Sequence, residues 1–323
     1  MKAVQVVTTS GPESLEVRDL PEPTAGPGQV LVRVERVGIS FPDLLLSRGE
    51  YQIRPEPPFT LGVDFAGVVL ACPGGEFAPG QRVAGFGMGC ASELYVAGVD
   101  SVFAVPDELS ADQAAALPMN YLTADFALHH RAGLRAGETV LVHGAAGGVG
   151  TATLQVARGM GARTIAVVST EEKADVARAA GADEVVLLDG FKDAVLELTD
   201  RRGVDVVLDV VGGDAFVDSL RCLAPGGRLM VVGFAAGQGI PELRVNRLLL
   251  ANTDVRGVNW GGHLMTCGDP GFLRSQWLRV APMVSAGVVA PVVGRSYRLE
   301  EFGQALLDLD GRRVLGKAVV EVA

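Results

Sequence analysis

The pattern of apolar and polar positions changes about a third of the way along the chain. Before residue 120, short apolar runs are separated by turns that contain Gly and Pro, which predicts a series of strands. In one run, Val30, Val32 and Val34 share one side of a strand. The strands expected in this region span residues 4–7, 16–19, 29–37, 66–71 and 92–96. This part of the chain is more typical of a compact β-barrel than of alternating βα units.

After Ser110 the pattern changes to one of helices and strands in alternation. Two helices are expected first, over residues 111–117 and 122–132, with Ser110 as the N-cap of the former. Strands then follow at 140–142, 164–168, 185–187, 205–210, 228–232 and 253–258, with helices at 149–160, 171–180, 191–200 and 214–223. Strands joined by crossover helices of this length predict an α/β unit with a doubly wound parallel sheet.

The length and the last 60 or so residues suggest how the chain divides. At 323 residues the chain is long for one hydrophobic core, so two domains are expected. Beyond residue 260 the pattern predicts a helix, an apolar strand, a second helix and a final strand that returns to the first domain. The domain boundaries that this predicts are 1–121 for the first domain, 122–260 for the second and 261–323 for the return.

A glycine-rich stretch joins the first strand of the alternation to its helix. The strand at 140–142 is followed by four glycines between residues 144 and 150, and then by a helical pattern of apolar residues. Glycines let the backbone approach a pyrophosphate, and the free N–H groups of the first helical turn attract the anion. We therefore predict a dinucleotide site. The residues predicted to bind its pyrophosphate are Gly147, Gly148, Val149 and Gly150.

Composition and charge narrow the classes of partner. With 48% apolar and 20% charged residues, the chain has the composition of an ordinary globular protein. Its formal net charge of −10 argues against nucleic acid and against anionic membrane surfaces. No apolar run approaches the roughly 18 residues of a membrane span, and the N-terminus lacks a signal-peptide pattern. The four cysteines are too scattered for a metal motif or a disulfide scaffold, so we expect a cytoplasmic protein.

Six short motifs together resemble one enzyme family. They lie at 38–43 (Gly-Ile-Ser-Phe-Pro-Asp), 62–67 (Gly-Val-Asp-Phe-Ala-Gly), 79–83 (Pro-Gly-Gln-Arg-Val), 120–124 (Asn-Tyr-Leu-Thr-Ala), 145–150 (Ala-Ala-Gly-Gly-Val-Gly) and 316–317 (Gly-Lys). In this order and spacing they resemble the medium-chain dehydrogenase/reductase superfamily, and within it the zinc-independent, zeta-crystallin-like quinone oxidoreductase branch. The resemblance implies a GroES-like β-barrel catalytic domain combined with a Rossmann domain.

The sequence departs from the zinc-dependent members of that superfamily at the metal ligands. Those relatives carry a Cys where this chain has Ser40, a His where it has Val63 and a further ligand near Met119. Ser, Val and Met together do not supply the thiolate, imidazole or carboxylate donors that Zn²⁺ binds. We therefore expect an enzyme that holds no metal.

The end of the second Rossmann strand distinguishes NAD from NADP, because an acid there binds the ribose 2′-hydroxyl and repels a 2′-phosphate. About 20 residues after Gly150 this chain has Ser169, followed by Lys173 one helical turn later. A hydroxyl and an ammonium suit a phosphate, and the resemblance adds Arg312 to the same pocket. Two adjacent glutamates in this turn oppose the assignment. The balance favours NADPH over NADH.

The remaining cofactor contacts are expected at the carboxyl ends of the strands, where the nicotinamide and its ribose lie in a Rossmann domain. Asn259 follows the last strand of the alternation. Its neighbour Trp260 has two equally good interpretations: a contact to the carboxamide of the nicotinamide, or an aromatic side chain of the core. The residues expected at the nicotinamide end are Ser40, Thr123, Gly233, Phe234, Asn259 and Trp260.

Hydride transfer is the chemistry that such a site suits, because the cofactor carries the reaction and the protein positions it and excludes water. Reduction of a quinone needs no proton donor from the protein, since solvent can protonate the reduced oxygens. Tyr51 and Tyr121 are the phenols in this region, and the sequence assigns neither as a general acid. We expect an NADPH:quinone reductase with a small hydrophobic quinone or carbonyl substrate.

Two other functions fit the same residues. An enoyl-thioester or enone reductase gains from a positioned proton donor; the polyketide-type enoyl reductases, which the chain also resembles, commonly carry a Lys near the position of Phe234. An NADPH-binding protein with little turnover would keep the same glycine loop. Family members usually dimerise through the last edge strand, here about residues 253–258, so the resemblance implies a homodimer.

Overall fold

The computed structural model describes residues 1–322, and the chain separates into two compact units. The first unit contains Met1–Asn120, the short segment Leu273–Trp277 and the chain from Pro291 onward. The second contains Tyr121–Phe272 and Leu278–Ala290. Each unit has its own cluster of buried apolar side chains. No helix among the described residues is long and apolar enough to cross a bilayer.

The strands and helices follow in chain order. The strands are β1 Lys2–Val6, β2 Leu15–Asp19, β3 Gln29–Gly38, β4 Phe59–Thr60, β5 Asp64–Ala71, β6 Arg82–Phe86, β7 Leu94–Gly98, β8 Val102–Ala104, β9 Thr139–His143, β10 Arg163–Val168, β11 Glu184–Leu187, β12 Val204–Asp209, β13 Leu223–Val231, β14 Asp254–Gly257, β15 Val293–Arg298 and β16 Lys317–Glu321. The α-helices are α1 Phe41–Ser47, α2 Ala111–Ala115, α3 Pro118–Asp125, α4 Gly148–Gly159, α5 Glu171–Ala179, α6 Phe191–Leu198, α7 Ala215–Arg221, α8 Asn246–Ala251, α9 Trp260–Thr266, α10 Phe272–Ser285 and α11 Phe302–Asp310.

The first unit is built around the ten-residue strand β3. This strand pairs antiparallel with β5, β7 and β16, and the seven-stranded sheet runs β15-β16-β3-β5-β6-β8 with β7 also on β3. A smaller sheet has the order β2-β1-β4. The side chains of Val30, Val32 and Val34 are fully buried, as their alternation predicts. The final strand β16 lies between β15 and β3, so it returns to this unit as expected.

The second unit is a parallel sheet with the order β11-β10-β9-β12-β13-β14. The chain moves outward from β9 in one direction through β10 and β11, then crosses to the other side of β9 for β12 to β14. Such a reversal creates the switch point at which open α/β sheets bind ligands. The strand β9 is central, and Val140, Leu141 and Val142 are fully buried on it. The predicted fold class, a GroES-like β-barrel domain with a Rossmann-type parallel sheet, is confirmed.

Several helical segments differ from the sequence-based expectation, and among them the short helices α8 and α9 were not expected. The helix expected at 122–132 begins earlier, at Pro118, because proline suits the first helical position. It ends as the α-helix α3 at Asp125, and residues Phe126–Ala132 continue as a π-helix that stops at Gly133 with φ of 61°. The helix α1 was not expected in the β-rich region at all.

The second unit also extends beyond the boundary at residue 260 that the sequence predicts. Residues 261–272 and 278–290 cluster with it. Polar contacts account for part of this, because Arg279 donates to both carboxylate oxygens of Asp125 at 2.7–2.8 Å. In addition, Gln155 bonds both the carbonyl and the N–H of Ala290.

Candidate functional site

The glycine loop of the second unit forms a close-packed turn between β9 and α4. At Gly144 φ is +61°, and a Cβ there would lie 2.8 Å from Val210 Cγ2. At Gly150 a Cβ would lie 2.2 Å from the Gly144 carbonyl oxygen, so this position has no room for a side chain. The N-cap of α4 is Gly147, which has no side chain to occupy the first N–H groups of the helix. The loop therefore fits the pyrophosphate of a dinucleotide.

A buried carboxylate organises the neighbouring turn after β12. Asp209 is buried, and its Oδ1 accepts the N–H groups of Val211 and Gly212, each at 2.8 Å. On the adjacent strand β9, His143 Nε2 lies 2.7 Å from Ser219 Oγ. Burial lowers the pKa of His143, so its imidazole is neutral at physiological pH. Asp209 holds the backbone of the turn at the switch point, a role that the sequence analysis did not assign.

The end of β10 carries the predicted determinant of cofactor choice. Lys173 Nζ donates to Ser169 Oγ at 3.2 Å, so the ammonium and the hydroxyl are brought together as expected. Thr170 caps α5 by accepting the Lys173 N–H. The nearby Glu171 faces Arg178, with 3.8 Å between the charged atoms. This ion pair offsets one of the two negative charges that oppose a phosphate here.

The residues predicted at the nicotinamide end differ in exposure. Phe234 is 40% exposed and lies against the turn after β12, because a Cβ at Gly212 would be 2.9 Å from its ring. The side chain of Asn259 caps α9 by accepting the Gly262 N–H at 2.9 Å. Trp260 is only 4% exposed, which favours the core-aromatic interpretation for this ring.

The first unit holds a buried cluster of charged and polar side chains around Ser40. Lys317 donates from Nζ to Ser40 Oγ and to Asp64 Oδ2, each at 2.5 Å, and Ser40 Oγ donates to Asp64 Oδ2 at 3.0 Å. The other Asp64 oxygen accepts the Met119 N–H at 2.8 Å. Gly38 leaves space for the lysine, because a Cβ there would lie 2.8 Å from Lys317 Cε. This role of Lys317 was not predicted from the sequence.

A second carboxyl group completes the cluster. Asp43 accepts the N–H groups of Ser40 and Gly62, both at 3.0 Å, and so forms a capping box at the start of α1. Burial raises the pKa of Asp43 to about 7, against the lowering effect of these two bonds and of Lys317. Burial also raises the pKa of Asp64, although the adjacent ammonium opposes the shift. Both aspartates accept hydrogen bonds from backbone N–H groups.

The residues at the zinc-ligand positions do not fit a zinc ion. Ser40 is bonded to the Lys317 ammonium, and a positive charge repels a metal cation. Val63 is a buried hydrocarbon, and Met119 contacts the cluster through its backbone N–H. No group of three or more His, Cys, Asp or Glu side chains in residues 1–322 is arranged to hold a metal. The donor set offers a metal ion neither thiolate nor imidazole.

The two tyrosines occupy different surroundings. Tyr121 belongs to the second unit, is buried, and donates its hydroxyl to Gln155 Oε1 at 2.7 Å. Its hydroxyl is therefore engaged within a core. Tyr51 belongs to the first unit and is half-buried; burial and the nearby Asp43 raise its phenol pKa.

The other predicted site residues divide between the units. Ser40 and Arg312 lie in the first, where Arg312 has φ of 56° in the loop after α11. Thr123 lies on α3 in the second unit and is buried, and that unit also contains the glycine-loop residues, Ser169, Lys173, Gly233, Phe234, Asn259 and Trp260.

Comparison with known families covers both units. A family described as "Alcohol dehydrogenase GroES-like domain" matches residues 26–107, and one described as "Zinc-binding dehydrogenase" matches residues 148–269. The two ranges correspond to the barrel and to the parallel sheet. A nicotinamide dinucleotide of the NAD(P) type is the cofactor that the glycine loop and this family support.

Individual proteins of the same family are similar to this chain over nearly its whole length. Quinone oxidoreductase-like protein 2 of Bos taurus is 38% identical over 92% of this chain and 86% of its own length. The quinone oxidoreductase of Pseudomonas aeruginosa is 35% identical over 99% of each. The crystal structure of the Thermus thermophilus quinone oxidoreductase superposes with a TM-score of 0.85 at 36% identity over 100% of both chains. The chain is thus an oxidoreductase and belongs to the quinone oxidoreductase-like branch of the medium-chain dehydrogenase/reductase superfamily.

Proposed function

We propose that this protein is an NADPH-dependent quinone reductase that works without zinc. The observation that carries the proposal is the composition of the cluster around Ser40. It offers a metal neither thiolate nor imidazole, and the Asp64 carboxylate is already paired with the internal ammonium of Lys317. An acceptor whose reduced oxygens take their protons from solvent suits such a site, and a quinone is an acceptor of this kind.

Support for NADPH comes from the pair of Ser169 and Lys173 at the end of β10. Their 3.2 Å contact presents a hydroxyl and an ammonium where an NAD-specific enzyme has a carboxylate. Arg312 is proposed to add a second positive charge. The Thermus thermophilus relative was solved in complex with NADPH.

When bound, NADPH supplies a hydride to the acceptor. The residues of this chain hold it: the glycine loop would receive the pyrophosphate, Asp209 fixes the turn at the switch point, and Ser40, Thr123 and the strand ends would orient the nicotinamide. Tyr51 remains a neutral phenol at pH 7, because its pKa is raised, and it is placed in the first unit with Ser40. The half-exposed ring of Phe234 would pack against a flat, hydrophobic substrate.

The decisive experiment measures NADPH oxidation with 9,10-phenanthrenequinone, 1,4-benzoquinone and crotonyl-CoA, before and after dialysis against a chelator. We expect turnover with the quinones and no change after chelation. Faster reduction of crotonyl-CoA would identify an enoyl reductase instead. Elemental analysis showing one zinc per chain, with activity lost on its removal, would refute the zinc-independent mechanism.

We also propose that the protein forms a homodimer through β14. This strand is the edge of the six-stranded sheet, and an unpaired edge seeks a partner. The segment just before it exposes a group of apolar side chains by 71–80%: Ile240, Val245, Leu249 and Leu250. Sedimentation equilibrium should give twice the chain mass of 33.6 kDa, and Leu249→Asp with Leu250→Asp should shift the protein toward monomer. A monomeric wild type at micromolar concentration would overturn this.

A further inference from the structure

Lys317 occupies a position that packing alone does not explain. The residue is 3% exposed, at the start of the apolar strand β16, where Ala318, Val319 and Val320 are buried hydrocarbon. A buried ion pair is weak support for stability, since well-packed apolar residues of similar size often serve as well. The pair of Lys317 and Asp64 therefore points to a use for the charge itself.

The ammonium is aimed at one hydroxyl. Lys317 Nζ lies 2.5 Å from Ser40 Oγ, and the geometry is held from three sides. Asp64 fixes the lysine, the Met119 N–H fixes Asp64, and the Asp43 carboxyl fixes the Ser40 N–H. The side chains of Lys317, Ser40, Asp64 and Asp43 are buried, so little water screens the charge.

This contact changes what Ser40 can donate. A hydroxyl oxygen that accepts a charge-assisted hydrogen bond becomes a stronger donor through its own hydrogen, because the bonds of a chain polarise one another. In the structure the Ser40 hydroxyl donates its hydrogen to Asp64 Oδ2. The distance between these two oxygens is 3.0 Å, longer than the 2.5 Å from Lys317 Nζ to Ser40 Oγ. A hydroxyl hydrogen rotates freely to a better acceptor.

We propose that Lys317 is a positioning residue that polarises the Ser40 hydroxyl toward the acceptor oxygen on which negative charge develops. The inference rests on the proposed function, because Ser40 must face the reactive end of the site. As the acceptor gains the hydride and its electron pair, Ser40 donates a hydrogen bond to the new oxyanion. No bond to Lys317 forms or breaks, and solvent supplies the protons of the product. The ammonium thus serves, through a hydroxyl, the purpose that a metal ion serves by direct contact.

The test separates this role from a structural one by neutralising both charges together. In Lys317→Met with Asp64→Asn, neither partner is left as an unpaired buried charge, so the melting temperature should stay close to that of the wild type. The kcat for quinone reduction should nevertheless fall roughly 10- to 100-fold, with KM values for NADPH and quinone within about threefold. A double variant that folds and keeps the wild-type kcat overturns the proposal.

Ser40→Ala supplies a second measurement that does not depend on folding of the lysine variants. It should lower kcat by about the same factor, and combining it with the double variant should cost little more, because both changes remove one interaction. An unchanged kcat in Ser40→Ala overturns the proposal. Additive losses in the combined variant do so as well, since they would mean that Lys317 acts independently of Ser40.

Binding of an oxyanion gives a readout apart from turnover. The affinity for 4-nitrophenolate, titrated by absorbance with NADP⁺ present at pH 8, should fall about tenfold in Ser40→Ala and in the double variant, which corresponds to about 1.4 kcal/mol. Arg36→Met with Asp112→Asn is the matched control, because it neutralises another ion pair of the first unit, with 2.6 Å between the charged atoms. It should leave kcat and phenolate affinity unchanged. A wild type without quinone turnover refutes the proposed function, whereas an active wild type with unaffected variants refutes only this inference.

Discussion

Replacing Asp43 by Asn should remove a pH dependence from the stability of the first unit. In the native protein burial raises the pKa of this carboxyl from 3.8 to about 7. The folded state therefore keeps a proton that the unfolded chain releases. A carboxyl with a raised pKa contributes its full stability below the unfolded value, and that contribution is lost as the pH rises through the folded value.

The size of the effect follows from the two pKa values. Near pH 5 to 6, well between the two pKa values, each pH unit reduces the free energy of unfolding by about 1.3 kcal/mol. From pH 5 to pH 8 the loss amounts to about 2.5 kcal/mol, because the slope levels off near pH 7. In Asp43→Asn this contribution is absent. The variant should also be less stable than the wild type at pH 5, by about 1–3 kcal/mol, since an amide NH₂ cannot accept the buried Ser40 N–H.

Urea unfolding followed by tryptophan fluorescence measures this effect in the relevant unit. The chain has two tryptophans, and Trp277 stacks on Phe103 within the first unit with ring centroids 4.9 Å apart. In a Trp260→Phe background its emission reports on that unit. The wild-type and Asp43→Asn stabilities should converge from pH 5 to pH 8.

Asp308→Asn is the control for that experiment. Its hydrogen bond from Tyr297, with those from Arg313 and Gln304, lowers the pKa of Asp308 to about 2, so it stays ionised throughout the range. The difference between Asp308→Asn and the wild type should be constant from pH 5 to pH 8. Parallel curves for Asp43→Asn as well would show that the buried carboxyl is ionised at pH 5, and the electrostatic account of the cluster would then be wrong.

Three further changes test other parts of the structure. Ser169→Asp should lower kcat/KM with NADPH relative to NADH by tenfold or more, about 1.4 kcal/mol, because a carboxylate repels the 2′-phosphate; an unaltered ratio would place the phosphate elsewhere. Gly150→Ala should destabilise the second unit by about 2 kcal/mol or more and abolish NADPH binding, because its Cβ would lie 2.2 Å from the Gly144 carbonyl oxygen. The matched control Gly147→Ala, whose Cβ would lie 3.4 Å from the same oxygen, should keep the wild-type melting temperature. Arg228→Met should lower the free energy of unfolding, measured in urea, by about 3 kcal/mol, because it removes two hydrogen bonds of 2.7–2.8 Å to Glu138 and leaves that carboxylate without its guanidinium partner. A loss below about 1 kcal/mol would show that solvent compensates for the missing guanidinium.

Local patterns explain why the parallel sheet was predictable from the sequence. Every strand of the parallel sheet, and the four helices α4 to α7 that connect its first five strands, can be recognised from about ten consecutive residues, through an apolar run or a period of 3.6. The short helices α8 and α9 were not predicted. The glycine loop is equally local, because every one of its glycines lies within seven residues of the others. The strand at 140–142 and the helix at 149–160 accordingly match β9 and α4 to within one residue at each boundary.

The cluster around Lys317 was beyond such reasoning because its members are distant in the chain. The contact from Lys317 to Asp64 spans 253 residues, and the contact to Ser40 spans 277. Two local signals were nevertheless available. Ser40 and Asp43 have the spacing of a capping box, which indicates the helix α1. Lys317 is one of only four lysines in an arginine-rich chain, and it begins an apolar strand.

The position of β16 inside its sheet has a consequence for how the chain is made. At a synthesis rate of about 5–20 residues per second, the 253 residues between Asp64 and Lys317 take roughly 10–50 s to emerge. During that time the barrel lacks an interior strand, and its two buried carboxyls lack their cation. The parallel sheet needs nothing after Ala290 and can be complete first. The NAD(P)-binding unit is therefore ready to fold on the ribosome before the barrel, which closes only once β16 has emerged from the exit tunnel.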